Sequence, residues 1–351
     1  MLDVDDATFI VGICQKMCPA PEIKFRERHN LLHRFEQVLG TENLPYPRAN
    51  RSFMVKEYSR SAAGKQAPRP EDIRPPSVLL KTVDFLLRNI CTRNDVHWSV
   101  VYEFVFDRLR AVRQDMVVQN AVNIDTVKIL ERVVRFHLYA SYKLLEANPA
   151  QFDAHINNTH IQECMKRLIN MYEEADCSCR KWEFLSLYLL FNIDSNDALQ
   201  FCLNNKLKHK ATEEFNTVLR LCFAWRDNNC VRVLTLCKQL SAMNLCAFHR
   251  HISTCRTKFL KRLNFAYSSK THLFPLDTLT ALLALDSEDA CRVLCEQCGL
   301  QVLDSGVRFV KTSDNNVTLR SPQKEEWMTE VIEQDDRPLY ELLTGSSCDH
   351  C

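Results

Sequence analysis

The sequence predicts an all-α protein of stacked, TPR-like helices ending in a small winged-helix module. Three observations carry this prediction. Glycine is scarce: there are six in 351 residues and none between positions 64 and 299, where average usage would place about sixteen. Proline is missing from 77–148 and again from 150–273. Through the same stretch apolar residues recur at three- and four-residue steps. Gly and Pro punctuate helices and strand turns, so a long segment without either supplies few positive-φ turns and tolerates uninterrupted helices.

Residues 1–75 read as a basic N-terminal segment with one helix followed by an extended, Pro-rich wrap. The part from Lys16 to Arg74 holds twelve Lys or Arg against seven Asp or Glu. A helix is expected over 22–39, with Leu31, Leu32, Phe35, Val38 and Leu39 as its apolar stripe. Prolines 45, 47, 68, 70, 75 and 76 exclude long helices after it.

The helical body is expected over 76–270, with Ser77 as its first N-cap. A first helix carries Val83, Leu86, Leu87 and Ile90. A second, over 95–119, has Val101, Val105, Leu109, Val112 and Met116 on one stripe and Trp98, Tyr102 and Phe106 beside it, so it belongs at the centre. A third spans 125–146, and further helices cover 158–175 and 180–191. Segments 212–227 and 230–241 read as an antiparallel pair joined at Asp227-Asn228-Asn229. One long helix is expected over 244–267. Residues 271–320 then give two short helices and a hairpin around Asp304-Ser305-Gly306, the outline of a winged helix. Residues 321–351 are expected to be a partly disordered acidic tail: from Pro322 onward there are eight Asp or Glu against two Lys or Arg.

Net charge is +1, so no global field steers the chain toward nucleic acid or membrane. No apolar run is long enough to span a bilayer, and acidic residues precede the apolar run at the start, the wrong order for a secretory signal. The seventeen cysteines are therefore expected to be reduced thiols inside the core of a soluble intracellular protein.

Chemistry-bearing motifs are few. Phosphate-cradling loops and nucleophile elbows need glycine, and none of their patterns occurs. Cys14, Cys18, His29 and His33 suit zinc by residue type, but the gap between the pairs is short and no hairpin carries the cysteines. Cys291, Cys295 and Cys298 share a helix face and read as core. Cys177-Ser178-Cys179 is too tight for a redox C-x-x-C and reads as a loop. His137 reads as a packed helix histidine. The expectation is no metal, no cofactor, no small-molecule substrate and no catalysis. A basic cluster is better formed: Arg250, Arg256, Lys258, Lys261 and Arg262 lie along one helix, with Arg308 and Lys311 on the expected wing. Phosphate contacts need only such a surface; a solvated helix face is the plainer reading of the same residues.

Several ordered blocks carry a family resemblance. They are Gly12-Ile13-Cys14 with Cys18-Pro19, Glu22 with Arg26, Val55-Lys56-Glu57-Tyr58-Ser59-Arg60-Ser61, Arg74-Pro75-Pro76-Ser77-Val78-Leu79, the run from Phe104 through Asp107, Arg108, Arg110 and Arg113 to Asp115, and Arg135-Phe136-His137. Over about residues 11–267 the chain resembles the shared domain of the GANP family, scaffold subunits of an mRNA-export complex at nuclear pores. The resemblance implies TPR-like helices leading into a PCI-type winged helix. It implies a second PCI-type protein as partner, paired winged helix to winged helix, with a small acidic peptide on that partner. It also implies a basic surface for RNA or DNA, for which Arg256, Lys258, Lys261, Arg262, Arg308 and Lys311 are the candidates, and no membrane.

The chain carries no phenylalanine-glycine repeats, RNA-recognition module or acetyltransferase-like region. In that it is similar to the short GANP-domain proteins linked to centrosome duplication and spindle organisation. Two functions are therefore expected as alternatives. One is a non-enzymatic scaffold of centrosome, spindle and mitotic progression, placed in the cytoplasm. The other is a nucleic-acid-binding PCI-type subunit of a nuclear mRNA-export complex. Lys56-Glu57-Tyr58-Ser59-Arg60 is expected to pair within the body, through Glu57 and Arg60, rather than with a partner.

Overall fold

Helices order most of the described residues of the computed structural model, which covers 10–41, 43–60, 68–174, 180–304, 306–310, 324–334 and 337–345. The chain divides into two units. The first comprises Met1–His137, Ala150–Ser178 and Arg337–Cys351; the second comprises Leu138–Pro149 and Cys179–Asp336. Residues 1–75 are thus part of the first unit. Among the described residues no helix is long and apolar enough to cross a membrane.

In the first unit α1 (Ala20–Arg28) ends far earlier than the expected 22–39 helix. Asn30 takes a left-handed φ of 54°, a conformation Asn tolerates better than most residues, and Leu31 N closes the end onto Arg26 O at 2.8 Å. A 3-10 turn follows at Arg34–Glu36. The expected stripe is consequently split. Leu32 and Phe35 are buried, whereas Leu31 and Leu39 are exposed. α2 (Pro76–Phe85) starts one residue before the expected Ser77 cap, because Pro76 needs no N–H partner in a first helical turn and has its φ preset. It runs into a π-helical turn at Leu86–Ile90.

α3 (Trp98–Val118) is capped by His97 and buries the predicted stripe: Val101, Val105, Leu109, Val112 and Met116 are all inaccessible or nearly so. α4 (Ile124–Lys143) begins in this unit and passes into the second. α5 (Ala154–Glu174) follows. Residues expected in the acidic tail form α15 (Leu339–Thr344), with Leu342 and Leu343 buried. Arg88 lies over the Tyr340 ring at 4.2 Å, and Arg135 Nη1 donates to Thr344 O at 3.1 Å.

The second unit contains α6 (Lys181–Phe191), α7 (Asn196–Lys208), α8 (Glu213–Arg226), α9 (Cys230–Cys237), α10 (Ala242–Phe248) and α11 (Ile252–Ala266). α8 and α9 pack together across a turn in which Asn228 has φ 57°. The single helix expected over 244–267 is two helices separated by a 3-10 turn at His249–His251. The His249 ring donates through Nδ1 to Cys246 O at 2.8 Å, occupying the carbonyl that an uninterrupted α-helix would offer to Arg250 N.

After α11 come β1 (Phe274–Pro275), α12 (Leu276–Leu282), α13 (Glu288–Gln297), β2 (Gln301–Leu303) and β3 (Gly306–Arg308). The strands form an antiparallel sheet in the order β1-β3-β2, with Val302 opposite Val307. Gly306 is required where β1 and β3 meet: a Cβ there would lie 2.4 Å from Phe274 O. Leu260, Leu276, Leu279, Val307 and Phe309 form the core of this region with Cys291, Cys295 and Cys298. α14 (Glu326–Glu333), also expected as acidic tail, buries Met328 and Ile332, and Tyr142 and Thr329 share a hydroxyl bond of 2.8 Å. All thirteen cysteines among the described residues are free and buried; Cys177-Ser178-Cys179 lies outside the described residues.

Candidate functional site

The family blocks of the sequence, apart from Arg135-Phe136-His137, meet in the first unit at one buried ionic clasp. Residues 54–60 run beside α3; Lys56 N donates to Met17 O at 3.0 Å, and three of the other amides pair with carboxylates. Val55 N donates to Glu36 Oε1 (3.1 Å), Glu57 N to Glu22 Oε1 (2.8 Å) and Tyr58 N to Asp107 Oδ2 (3.2 Å). Gln114 Nε2 donates back to Ser59 O at 2.8 Å.

Two charge clusters hold this arrangement. In the first, Glu36 is wholly buried between the guanidiniums of Arg26 and Arg108. Arg108 Nη2 reaches Glu36 Oε2 at 3.1 Å and Glu57 Oε1 at 3.0 Å, and its Nη1 reaches Asp107. Burial alone disfavours the Arg108 cation, but Glu36, Glu57 and Asp107 outweigh it and its pKa is raised. In the second cluster Asp115 takes Arg74 Nε and Lys56 Nζ, each at 2.7 Å, with Arg74 and Asp115 fully buried. Lys56 Nζ also donates to Asp72 O (2.6 Å) and Arg74 Nη1 to Met17 O (3.1 Å).

The N-terminal segment of the clasp is fitted by contact. Cys14 N donates to Ile73 O at 2.9 Å. A Cβ on Gly12 would sit 2.6 Å from that same oxygen, so only glycine passes here. Cys18 packs with Ile23, Leu32 and Met54, and burial raises its thiol pKa far above the usual range. His33 Nδ1 accepts from Phe35 N at 3.2 Å. Among the described residues no three His, Cys, Asp or Glu side chains gather as a metal set. Glu57 pairs inside the body as expected; Arg60 is engaged within the structure as well.

Two histidines of this unit make its stability pH-dependent. His137, fully buried, is pushed down to about 3 by burial, against the pull of its hydrogen bond to Asn157. His33 is pushed down to about 4, again by burial first, with Glu36 opposing. Unfolded, each titrates near 6.5. Between that value and 3–4 the unfolded chain therefore binds protons that the folded chain refuses. The contribution is fully present above pH 6.5 and is lost as pH falls toward 4. For His137 the slope is about 1.4 kcal/mol per pH unit. Urea unfolding from pH 7 to 5 should show this decline, and His137→Gln should flatten it; stability unchanged across that range would contradict the assignment.

The second unit carries the predicted basic surface, with one correction. Arg256 is buried, not on the surface: Nε donates to Leu283 O (2.9 Å), Nη2 to Ala284 O (3.1 Å), and Nη1 pairs with Glu325. Its place beside Cys255, flanking the apolar side of the helix, allowed either outcome, and the carbonyls at the end of α12 hold it. Lys258, Lys261 and Arg262 are exposed, and their spacing puts them on one face of α11. Phe265, on the same face, is 75% exposed. Lys258 Nζ lies 4.8 Å from the Trp225 ring centre, and Arg262 donates to Asn228 O. Arg308 is half-buried on β3, donating to Gln301 Oε1 at 3.4 Å. Arg250 is half-buried over Phe191. Lys311 lies outside the described residues.

Sequence reasoning did not single out Glu36, and quoted Glu22 and Arg26 as a family block without assigning them ion pairs. Their signal was available: charged residues among apolar ones on a segment read as a helix stripe. It was masked by the assumption that the segment was one helix.

Comparison with known proteins gives a match to the SAC3/GANP family over residues 17–304. Drosophila melanogaster "Protein xmas" is 28% identical over 311 residues, 84% of this chain and 15% of that protein. "SAC3 family protein B" of Arabidopsis thaliana is 26% identical over 302 residues, 81% of this chain and 17% of that protein. "SAC3 family protein 1" of Schizosaccharomyces pombe is 27% identical over 325 residues, 86% of this chain and 31% of that protein. The chain thus spans less than a third of the length of these relatives.

Proposed function

The chain belongs to the SAC3/GANP family, and from that premise we propose that it is a non-enzymatic scaffold that pairs with a PCI-type protein and presents RNA on the α11 face. The carrying observation is the exposed cationic stripe of Lys258, Lys261 and Arg262 on the helix that leads into the sheet. We read the order α11-β1-α12-α13-β2-β3, with strands in the order β1-β3-β2, as the winged-helix module through which family scaffolds pair. The partner contributes a second winged helix and carries the small acidic peptide. Work of this kind belongs to mRNA export in the nucleus. The rival reading, in centrosome and spindle, leaned partly on an acidic tail, and that segment contains the packed helices α14 and α15.

Binding of a fluorescent single-stranded RNA to the full chain, alone and with its PCI-type partner, tests the reading. Affinity should fall linearly with salt on a log–log plot, by about 0.7 in slope per phosphate contact. Lys258→Ala, Lys261→Ala and Arg262→Ala should each reduce the slope by roughly that amount. Arg256→Ala should destabilise the second unit instead. Absence of binding at low salt in both conditions would sink the proposal.

A further inference from the structure

A second surface, on the first unit and separate from the α11 stripe, has a different chemistry. α3, α5 and the segment 54–60 enclose an open cleft of about 350 Å³, lined by Tyr58, Arg110, Arg113, Gln114, Val117 and His160. Its two guanidiniums are held differently. Arg113 is satisfied: Nη1 donates to His160 Nδ1 at 2.6 Å and Nη2 to Glu163 Oε2 at 2.8 Å. The Arg110 guanidinium sits over Tyr58, 3.8 Å from the ring centre, and near Phe106 at 5.6 Å. Among the described residues its guanidinium has no hydrogen bond and no carboxylate within ion-pair distance.

A half-buried guanidinium loses hydration without gaining an anion, and its five donors sit in a fork that matches a carboxylate. Its position over Tyr58 fixes that fork in advance, so little side-chain freedom is left to lose on binding. The cleft gathers two guanidiniums against one carboxylate, Glu163. His160 has its pKa lowered by burial first and then by Arg113 and Arg110, against Glu163, and Arg167 is lowered by burial and by Arg113. Beside the cations Val117 is 62% exposed and offers an apolar contact. Such a volume accommodates one or two side chains.

We propose that this cleft is a docking site for a short peptide segment of another protein, in which an Asp or Glu engages Arg110 while an adjacent apolar side chain covers Val117. Nucleic acid is the poorer fit, because the exposed apolar surface of Val117 beside Arg110 has no use for a phosphate. This peptide is distinct from the acidic one that the family resemblance places on the PCI-type partner.

The probes are short random peptides, selected by display on the immobilised full chain and resynthesised with a fluorophore. Selected peptides should carry an Asp or Glu next to Leu, Ile, Met or Phe. Changing that acid to its amide should weaken binding at least about tenfold. Arg110→Gln should do the same, with the melting temperature of the variant unchanged. Val117→Asp, at an exposed position, supplies a second disruption that leaves the core alone. Selection of no peptide, peptides without an acid, equal binding to both variants, or stronger Arg110-dependent binding of a phosphopeptide or an RNA oligonucleotide would each overturn the proposal.

Discussion

Glu36→Ala should cost the first unit about 3–5 kcal/mol, the loss expected when one partner of a buried charge cluster is removed. Glu36 is inaccessible, and the side chains of Arg26 and Arg108 are 2% and 4% exposed. Removing the carboxylate leaves two buried guanidiniums balanced only by the more exposed Glu22, Glu57 and Asp107. The amide of Val55 loses its acceptor at the same time. Glu36→Gln keeps the volume and one acceptor oxygen, so it should recover part of the hydrogen bonding but not the charge. Urea unfolding of the three proteins checks this. A double-mutant cycle with Arg108→Ala adds a sharper test, since a cluster that acts together makes the double variant lose less than the sum of the two singles. A loss below about 1 kcal/mol for Glu36→Ala is what an exposed pair would give, and would contradict the burial described.

Asp115→Asn should be comparably costly, again about 3–5 kcal/mol, and its effect should be localised differently. Asp115 takes Arg74 Nε and Lys56 Nζ, and Arg74 in turn holds Met17 O. The asparagine is nearly the same size, so packing barely changes, but Arg74 becomes a fully buried cation with no anion. The segments at 12–18, 54–60 and 72–74 should then loosen together. Amide hydrogen exchange should accelerate in those three segments while the interior of α5 stays protected. Uniform acceleration through α5 would mean that Asp115 supports the whole unit rather than the clasp.

Much of the fold was legible because the signal was local. The apolar stripe of α3, the helix read over 212–227, and the turn at Asp227-Asn228-Asn229 are properties of neighbouring residues, and they reappear almost unshifted. The failures were of a different kind. Leu31, Leu32, Phe35, Val38 and Leu39 do recur with helical spacing, but one left-handed Asn30 ended the helix before them. α7 went unseen because only Ala198, Cys202 and Asn205 mark its buried face, although Ser195 caps it in the ordinary way. The long helix over 244–267 was interrupted by a ring nitrogen taking the Cys246 carbonyl, and periodicity cannot show a side chain competing with the backbone.

The clasp was only half legible. The blocks around Lys56-Glu57 and Asp107-Arg108 marked it, and pairing of Glu57 within the body follows from them. Which carboxylate would lie between Arg26 and Arg108 is a question of chain path, which spacing does not encode. Arg256 failed for a related reason: a basic residue beside a stripe is a phosphate ligand or a carbonyl clamp depending on what ends opposite it, and α12 ends there.

The distances along the chain between the partners of the clasp set an order of events. Glu36 leaves the ribosome 72 residues before Arg108, and Lys56 leaves 59 residues before Asp115. During synthesis the N-terminal segment is thus complete while the helix that neutralises it is still unmade. Its charges keep the early segment hydrated and discourage premature collapse onto whatever apolar surface is nearby. Only when α3 has formed do the two sets of charges meet and shed their water together. The same residues that are costly to bury at the end are therefore solvated, earlier, while their partners are still unmade.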